Sequence, residues 1–127
     1  KDYCEAMFKI LQQKKPEDFV IATGKQYSIR DFIKQCFHYY GIEIEFKYKY
    51  LREIGVVRKI NNKDKFKIKE GDIAIKVDKK YFRPTEVDTL LGNSAKARKK
   101  LKWKPKISFK EIVKEMLDND YEEMVNK

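Results

Sequence analysis

Histidine, cysteine and glycine are all scarce in this chain: 127 residues hold one histidine, two cysteines and five glycines, with three prolines and one tryptophan. Cys4 and Cys36 match no metal or redox spacing. Both fall on apolar faces of predicted helices, which marks them as buried thiols. His38 has no acid or nucleophile patterned around it, so a surface or helix-end residue is a simpler reading than a general base. A zinc site and a Ser/His/Asp or Cys/His triad are therefore not expected. The glycines at 24, 41, 55, 71 and 92 are too scattered to make a Gly-x-x-Gly-x-x-Gly phosphate turn. No tyrosine is followed four residues later by lysine, so no Tyr/Lys catalytic pair is assigned. No apolar run is long enough to cross a bilayer, and no charged-then-apolar leader is visible. The chain is expected to be soluble and cytoplasmic.

What is abundant is charge and aromatic surface. Thirty Lys and Arg stand against twenty Asp and Glu, a net charge of +10, while 42% of residues are hydrophobic and eight Phe and eight Tyr are present. That composition supports one folded domain of ordinary size. The positive field suits an anionic nucleotide and would also suit nucleic acid.

Periodicity gives the elements. Asp2 reads as an N-cap, and Tyr3, Ala6, Met7, Ile10 and Leu11 form one helical face that closes by Lys15 and Pro16. Phe19-Val20-Ile21-Ala22 is continuously apolar, the pattern of a strand buried on both faces. Ser28 and Asp31 approximate a capping box for a helix burying Ile29, Phe32, Ile33, Cys36 and Tyr40, and Gly41 supplies its left-handed stop. Ile42, Ile44 and Phe46 alternate with charged residues as a half-buried strand. Asn61 to Asp64 signals a turn before Phe66 and Ile68, and residues 71–78 alternate as a further strand. Asn93 or Ser94 can cap a short helix through Ala97 to Leu101. Ser108 with Glu111 caps the last helix, whose stripe is Phe109, Ile112, Val113, Met116, Leu117 and Met124. Trp103 packs between these helices or stacks on a base, packing being the commoner use of such a residue.

Residues 47–70 are the most basic stretch, with Phe46, Tyr48, Tyr50 and Phe66 among the lysines. Such a mixture can line a stacking-and-charge groove for nucleic acid, and the same alternation makes an ordinary sheet face. Lys80-Tyr81-Phe82-Arg83-Pro84-Thr85-Glu86 is more specific. Pro84 fixes its own φ and holds Arg83 extended, so a short rigid loop presents an aromatic pair, a guanidinium and a carboxylate. Arg83 could grip a pyrophosphate and Glu86 a ribose diol, with Tyr81 beside them. An Arg–Glu surface pair beside a turn fits the same residues.

The ordered set Lys1-Asp2-Tyr3, Glu5-Ala6-Met7, Leu11-Gln12-Gln13, Phe19 to Gly24, Tyr27-Ser28-Ile29-Arg30, Val77-Asp78, Tyr81-Phe82-Arg83-Pro84, Glu86-Val87, Leu91-Gly92 and Trp103-Lys104-Pro105 resembles the carboxyl-terminal part of the GDP-mannose 4,6-dehydratase family, within the extended short-chain dehydrogenase/reductases. The likeness covers nearly the whole chain. Thr85 stands where the family usually has alanine. Lys102 stands where it usually has glycine, which predicts a non-glycine residue at positive φ costing about 1 kcal/mol. The resemblance implies an α/β fold: the edge helix and strand of a Rossmann-type parallel sheet (residues 1–24), then a small mixed α/β nucleotide-sugar-binding domain (residues 25–127). It implies a lyase that oxidises the hexose of GDP-mannose at C4, eliminates water across C5 and C6 and returns the hydride to C6. NADP and the catalytic residues would lie in an amino-terminal domain upstream of this chain, which alone should be inactive. The full-length enzyme is expected to be a homo-oligomer. Arg83, Glu86 and Tyr81 are the substrate-binding residues so implied. The rival readings are a standalone nucleotide- or nucleic-acid-binding module and a related nucleotide-sugar dehydratase or epimerase.

Overall fold

The computed structural model describes residues 1–61, 66–81, 83 and 89–126. Among these described residues four α-helices and three strands follow one another as α1 (Asp2–Leu11), α2 (Ile29–Tyr39), β1 (Ile42–Lys47), β2 (Ile54–Ile60), β3 (Ile73–Lys76), α3 (Ala95–Leu101) and α4 (Phe109–Val125). They sort into two compact units. One comprises Lys1–Tyr27 with Val87–Ile112, the other Ser28–Glu86 with Val113–Lys127. No helix among the described residues is long and apolar enough to cross a membrane.

In the first unit α1 and α3 meet on two alanines, Ala6 and Ala97, both fully buried, with Leu101 and Trp103 completing the cluster. Small residues let the helix backbones approach, and Ile10, Phe19 and Ile21 close the sides. Trp103 is core, its indole N–H donating to the Asp2 carbonyl at 2.9 Å. Lys102 does adopt the left-handed conformation, with φ 51°.

Asp2 does not cap α1 as its position suggested; Lys1 is the N-cap, without a side-chain bond. The Asp2 carboxylate instead accepts the backbone N–H groups of Lys106 (2.8 Å) and Ile107 (2.9 Å). These bonds, Ile107's first, hold its pKa below the ordinary carboxylate value. The helix ends at Leu11, short of Lys15. Cys4 is exposed, against expectation, while Cys36 is half-buried and its thiol is pushed up by desolvation.

The predicted strand at Phe19–Ala22 is not one. Residues 16–27 hold no assigned strand, and no Rossmann-type parallel sheet is present among the described residues. A strand exists only through a neighbour's N–H and C=O groups, and an apolar run specifies burial without specifying that neighbour. Here Phe19 and Ile21 turn to the core while Val20 stays 53% exposed.

The second unit is built on a three-stranded antiparallel sheet in the order β1-β2-β3. Alternation in β1 places Ile42 and Ile44 inward against Val57 and Ile60 of β2, with Phe37 and Tyr40 of the α2 region over them. Gly41, at φ 74°, ends α2 and starts the sheet. Both halves of the Ser28–Asp31 capping box form. The inner stripe of α2 is thinner than predicted: Ile29 is 78% exposed. The turn expected at Asn61–Asp64 lies mostly outside the described residues, but Phe66 and Ile68 beyond it pack on the core. Ser108 and Glu111 cap α4 reciprocally. Of its predicted stripe Val113 is buried and Met124 exposed. Tyr39 Oη donates to Asp118 Oδ1 at 2.6 Å, and that bond, ahead of Lys114, holds the Asp118 carboxyl low.

Because the Asp2 pKa is depressed in the fold, its contribution is present above the unfolded carboxylate pKa and fades as pH falls through the folded value. Acid unfolding followed by Trp103 fluorescence should therefore lose part of its pH dependence in Asp2→Asn. An unchanged acid profile would show that the two backbone bonds contribute nothing to the unit.

Candidate functional site

β3 delivers the chain to one end of the sheet. Lys47, Ile54 and Lys76 lie in register across the three strands, so β1 and β3 both leave at that edge and β2 enters there. The backbone N–H of Val77 donates to the Glu53 carbonyl at 3.2 Å, tying the departing segment to the β1–β2 connection. Asp78 then turns the chain: its carboxylate accepts the Lys80 N–H and its carbonyl the Tyr81 N–H. The result is a single 3₁₀ turn, Lys79–Tyr81, that sets the Tyr81 ring 74% exposed with the Lys80 ammonium 5.5 Å from its centre. Arg83 is exposed two residues further on. Of the sequence-predicted residues, then, Tyr81 and Arg83 come to one sheet end; Glu86, Phe82 and Pro84 lie outside the described residues. Arg30 of α2 is paired with Glu53 in the same unit.

The other unit carries a cleft that sequence reasoning missed. Gly24, Leu91, Gly92, Asn93, Ser94, Ala95 and Arg98 line about 350 Å³ of space. Its wall is held by cations of α3. Lys96 and Lys100 bind the Glu17 carboxylate at 3.1 and 2.6 Å, and Lys96 also donates to the Asp18 carbonyl at 2.8 Å. The Arg98 guanidinium donates to the Thr23 carbonyl at 3.3 Å. These two ammonium groups, Lys100 first, lower the Glu17 pKa. A run such as Ala-Lys-Ala-Arg-Lys-Lys-Leu reads as a solvated helix face. Only the alternate alanines, too small to fill a core alone, signalled that another backbone comes close. The buried Ser94 hydroxyl has no hydrogen-bond partner among the described residues.

The GDP-mannose 4,6 dehydratase family profile matches residues 1–116 of this chain. The chain belongs to that family. It is 46% identical over 123 residues to the GDP-mannose 4,6-dehydratase of Yersinia enterocolitica, covering 97% of this chain and 33% of that protein. It is 48% identical over 120 residues to GDP-mannose 4,6 dehydratase 2 of Caenorhabditis elegans (94% of this chain, 28% of the relative). It is 44% identical over 124 residues to the human GDP-mannose 4,6 dehydratase (98% and 31%). The chain thus spans about a third of the length of these dehydratases.

Within this family member Gly92 marks the tightest place in the cleft wall. A Cβ there would lie 2.6 Å from Ala22 Cβ and 3.3 Å from Val20 Cγ1. Real Cβ atoms do not approach so closely, so one backbone segment must shift. Gly92→Ala should destabilise the unit by roughly 1–3 kcal/mol, as overpacking generally does. Thermal unfolding read by Trp103 fluorescence checks this, and an unaltered midpoint would count against the close approach.

Proposed function

We propose that the chain is the carboxyl-terminal, sugar-nucleotide-binding part of a GDP-mannose 4,6-dehydratase, a lyase converting GDP-mannose to GDP-4-keto-6-deoxymannose with loss of water. The observation that carries this reading is the family match over residues 1–116, joined to 44–48% identity along nearly the whole chain. Residues 1–24 would complete the edge of an NADP-binding domain and residues 25–127 would receive the substrate. The exposed apolar side of α1, with Tyr3, Met7, Phe8 and Leu11, supports such an edge role.

The residues present do not fit NADP themselves. A dinucleotide pyrophosphate needs a glycine turn opening onto a vacant helix N-terminus. After Thr23-Gly24 the next helix, α2, has its N-terminus already satisfied by the Asp31 carboxylate. A Cβ at Gly24 would meet the Arg98 guanidinium at 3.3 Å, so that space is filled too. In this reading NADP is held by the part of the enzyme that this chain does not span.

What this chain would do is bind and orient. Arg83 offers a planar fork of donors for the substrate pyrophosphate, and Glu86 a carboxylate for the ribose diol. Holding both fixes the hexose at the reacting end of the molecule. Lysine-rich surroundings raise the local concentration of the dianionic substrate.

Losing one partner of a desolvated charge pair costs roughly 2–5 kcal/mol, whereas an exposed ion pair is worth about 1 kcal/mol or less. In the complete enzyme Arg83→Ala should accordingly weaken GDP-mannose binding by a factor of roughly thirty or more. Arg83→Lys should restore only part, since a point charge lacks the fork. Glu86→Ala should weaken GDP-mannose more than an analogue without ribose hydroxyls, and NADP affinity should not change in any of the three. GDP-mannose affinity within twofold of wild type in a folded Arg83→Ala enzyme would refute the clamp.

A further inference from the structure

The second unit departs from local physical preference in two places, and the two departures have opposite chemistry. The first lies in the β1–β2 connection. Tyr48 and Tyr50 have φ 65° and 54°, the left-handed region that bulky L residues avoid. Their rings are 70% and 83% exposed and belong to neither hydrophobic cluster. A strained backbone is ordinarily held by what it buries; here it turns two aromatic rings outward. Lys49 and Arg52 are exposed beside them and form no ion pair among the described residues. Glu53, the acid of this connection, is taken by Arg30.

The second lies at the carboxyl-terminal end of α4. A helix C-terminus carries the negative end of the dipole, so cations are favoured there and acids are not. After Lys114 the sequence holds no cation before Lys127, while Glu115, Asp118, Asp120, Glu122 and Glu123 follow. The last turn of α4 has no basic residue. Asp118 is engaged by Tyr39 and Lys114, but Asp120 and Glu122 form no ion pair among the described residues. Every residue from Asn119 to Asn126 is exposed, Tyr121, Met124 and Val125 included. Two helical turns with no packed face draw little stability from propensity alone. This end therefore lacks both a cation and an apolar cover.

We propose that the acidic end of α4 docks on the Tyr48–Arg52 connection of a second copy of this chain, forming a two-fold symmetric dimer. Each patch supplies what the other lacks. Lys49 and Arg52 compensate Asp120, Glu122 and the helix dipole, while the tyrosine rings cover Met124 and Tyr121. Both patches belong to the same unit, so a two-fold axis makes the contact twice and closes the assembly. A polyanion such as nucleic acid would satisfy the connection alone and be repelled by the helix end. The inference stands apart from the sugar-nucleotide reading and needs no residue of the Arg83 loop.

The test is sedimentation equilibrium of the 127-residue chain over a range of concentrations, at low and at high salt. Lys49→Glu/Arg52→Glu reverses the connection, and Asp120→Lys/Glu122→Lys reverses the helix end. Each variant alone should dimerise roughly tenfold or more weakly than wild type, because like charges then face each other. An equimolar mixture of the two should restore association to within about threefold of wild type, since each offers the charge that the other has lost at both contacts. Unfolding of either variant could not give that rescue. Wild-type dimerisation should weaken as salt screens the attraction. A wild-type chain that stays monomeric overturns the proposal, and RNA binding lost in Lys49→Glu/Arg52→Glu would then give the connection to nucleic acid. A dimer that tightens with salt, that ignores both charge reversals, or that the mixture fails to restore also overturns it.

Discussion

One cross-connection holds the amino-terminal unit together: the Trp103 indole donating to the Asp2 carbonyl, between residues 101 apart in sequence, with the Asp2 carboxylate accepting from Lys106 and Ile107 beside it. Burial of a large aromatic supplies the driving force, and the N–H needs a partner once it is dry. The start of α1 supplies that partner because its carbonyl and its carboxylate both face the returning chain. The alanine contact between α1 and α3 follows from it, since Ala6 and Ala97 can meet only when both helices are pinned this closely. The cation row of α3 then reaches the 17–23 segment and shapes the cleft.

The second unit solves a different problem, which is to present side chains at a fixed place without burying them. A three-stranded sheet with one covered face gives its end loops a defined position while leaving them wet. Ile44 and Ile75 close on Gly55, where an added Cβ would find Ile75 and Ile44 at 3.0 and 3.1 Å. That close packing fixes the register, and the register fixes which connections share an edge. Residues 48–53 and 77–81 thereby leave from the same end of the sheet.

Much of this was legible in the sequence, and it was the local part. The capping boxes at Ser28 and Ser108, the stop at Gly41, the alternation of β1 and the left-handed Lys102 each depend on neighbours within four or five residues. The sterics of φ and the reach of a short side chain decide such features, and both are written in the residue order. The family resemblance was legible too, because ordered short motifs survive translation of the chain into any fold.

Tertiary structure alone decided the remainder. Asp2 was read as a cap because caps are local, yet its carboxylate found partners 104 and 105 residues away. Phe19–Ala22 was read as a buried strand because it is apolar, yet no strand pairs with it among the described residues. The stripes on α1, α2 and α4 fixed which faces could be buried and not which would be covered, so Met7, Ile29 and Met124 are exposed. Nor could sequence show that the connections around Tyr50 and Tyr81 share one sheet edge. Hydrophobicity is non-directional and names no partner; hydrogen-bond pairing between distant segments names one, and only folding brings those segments together.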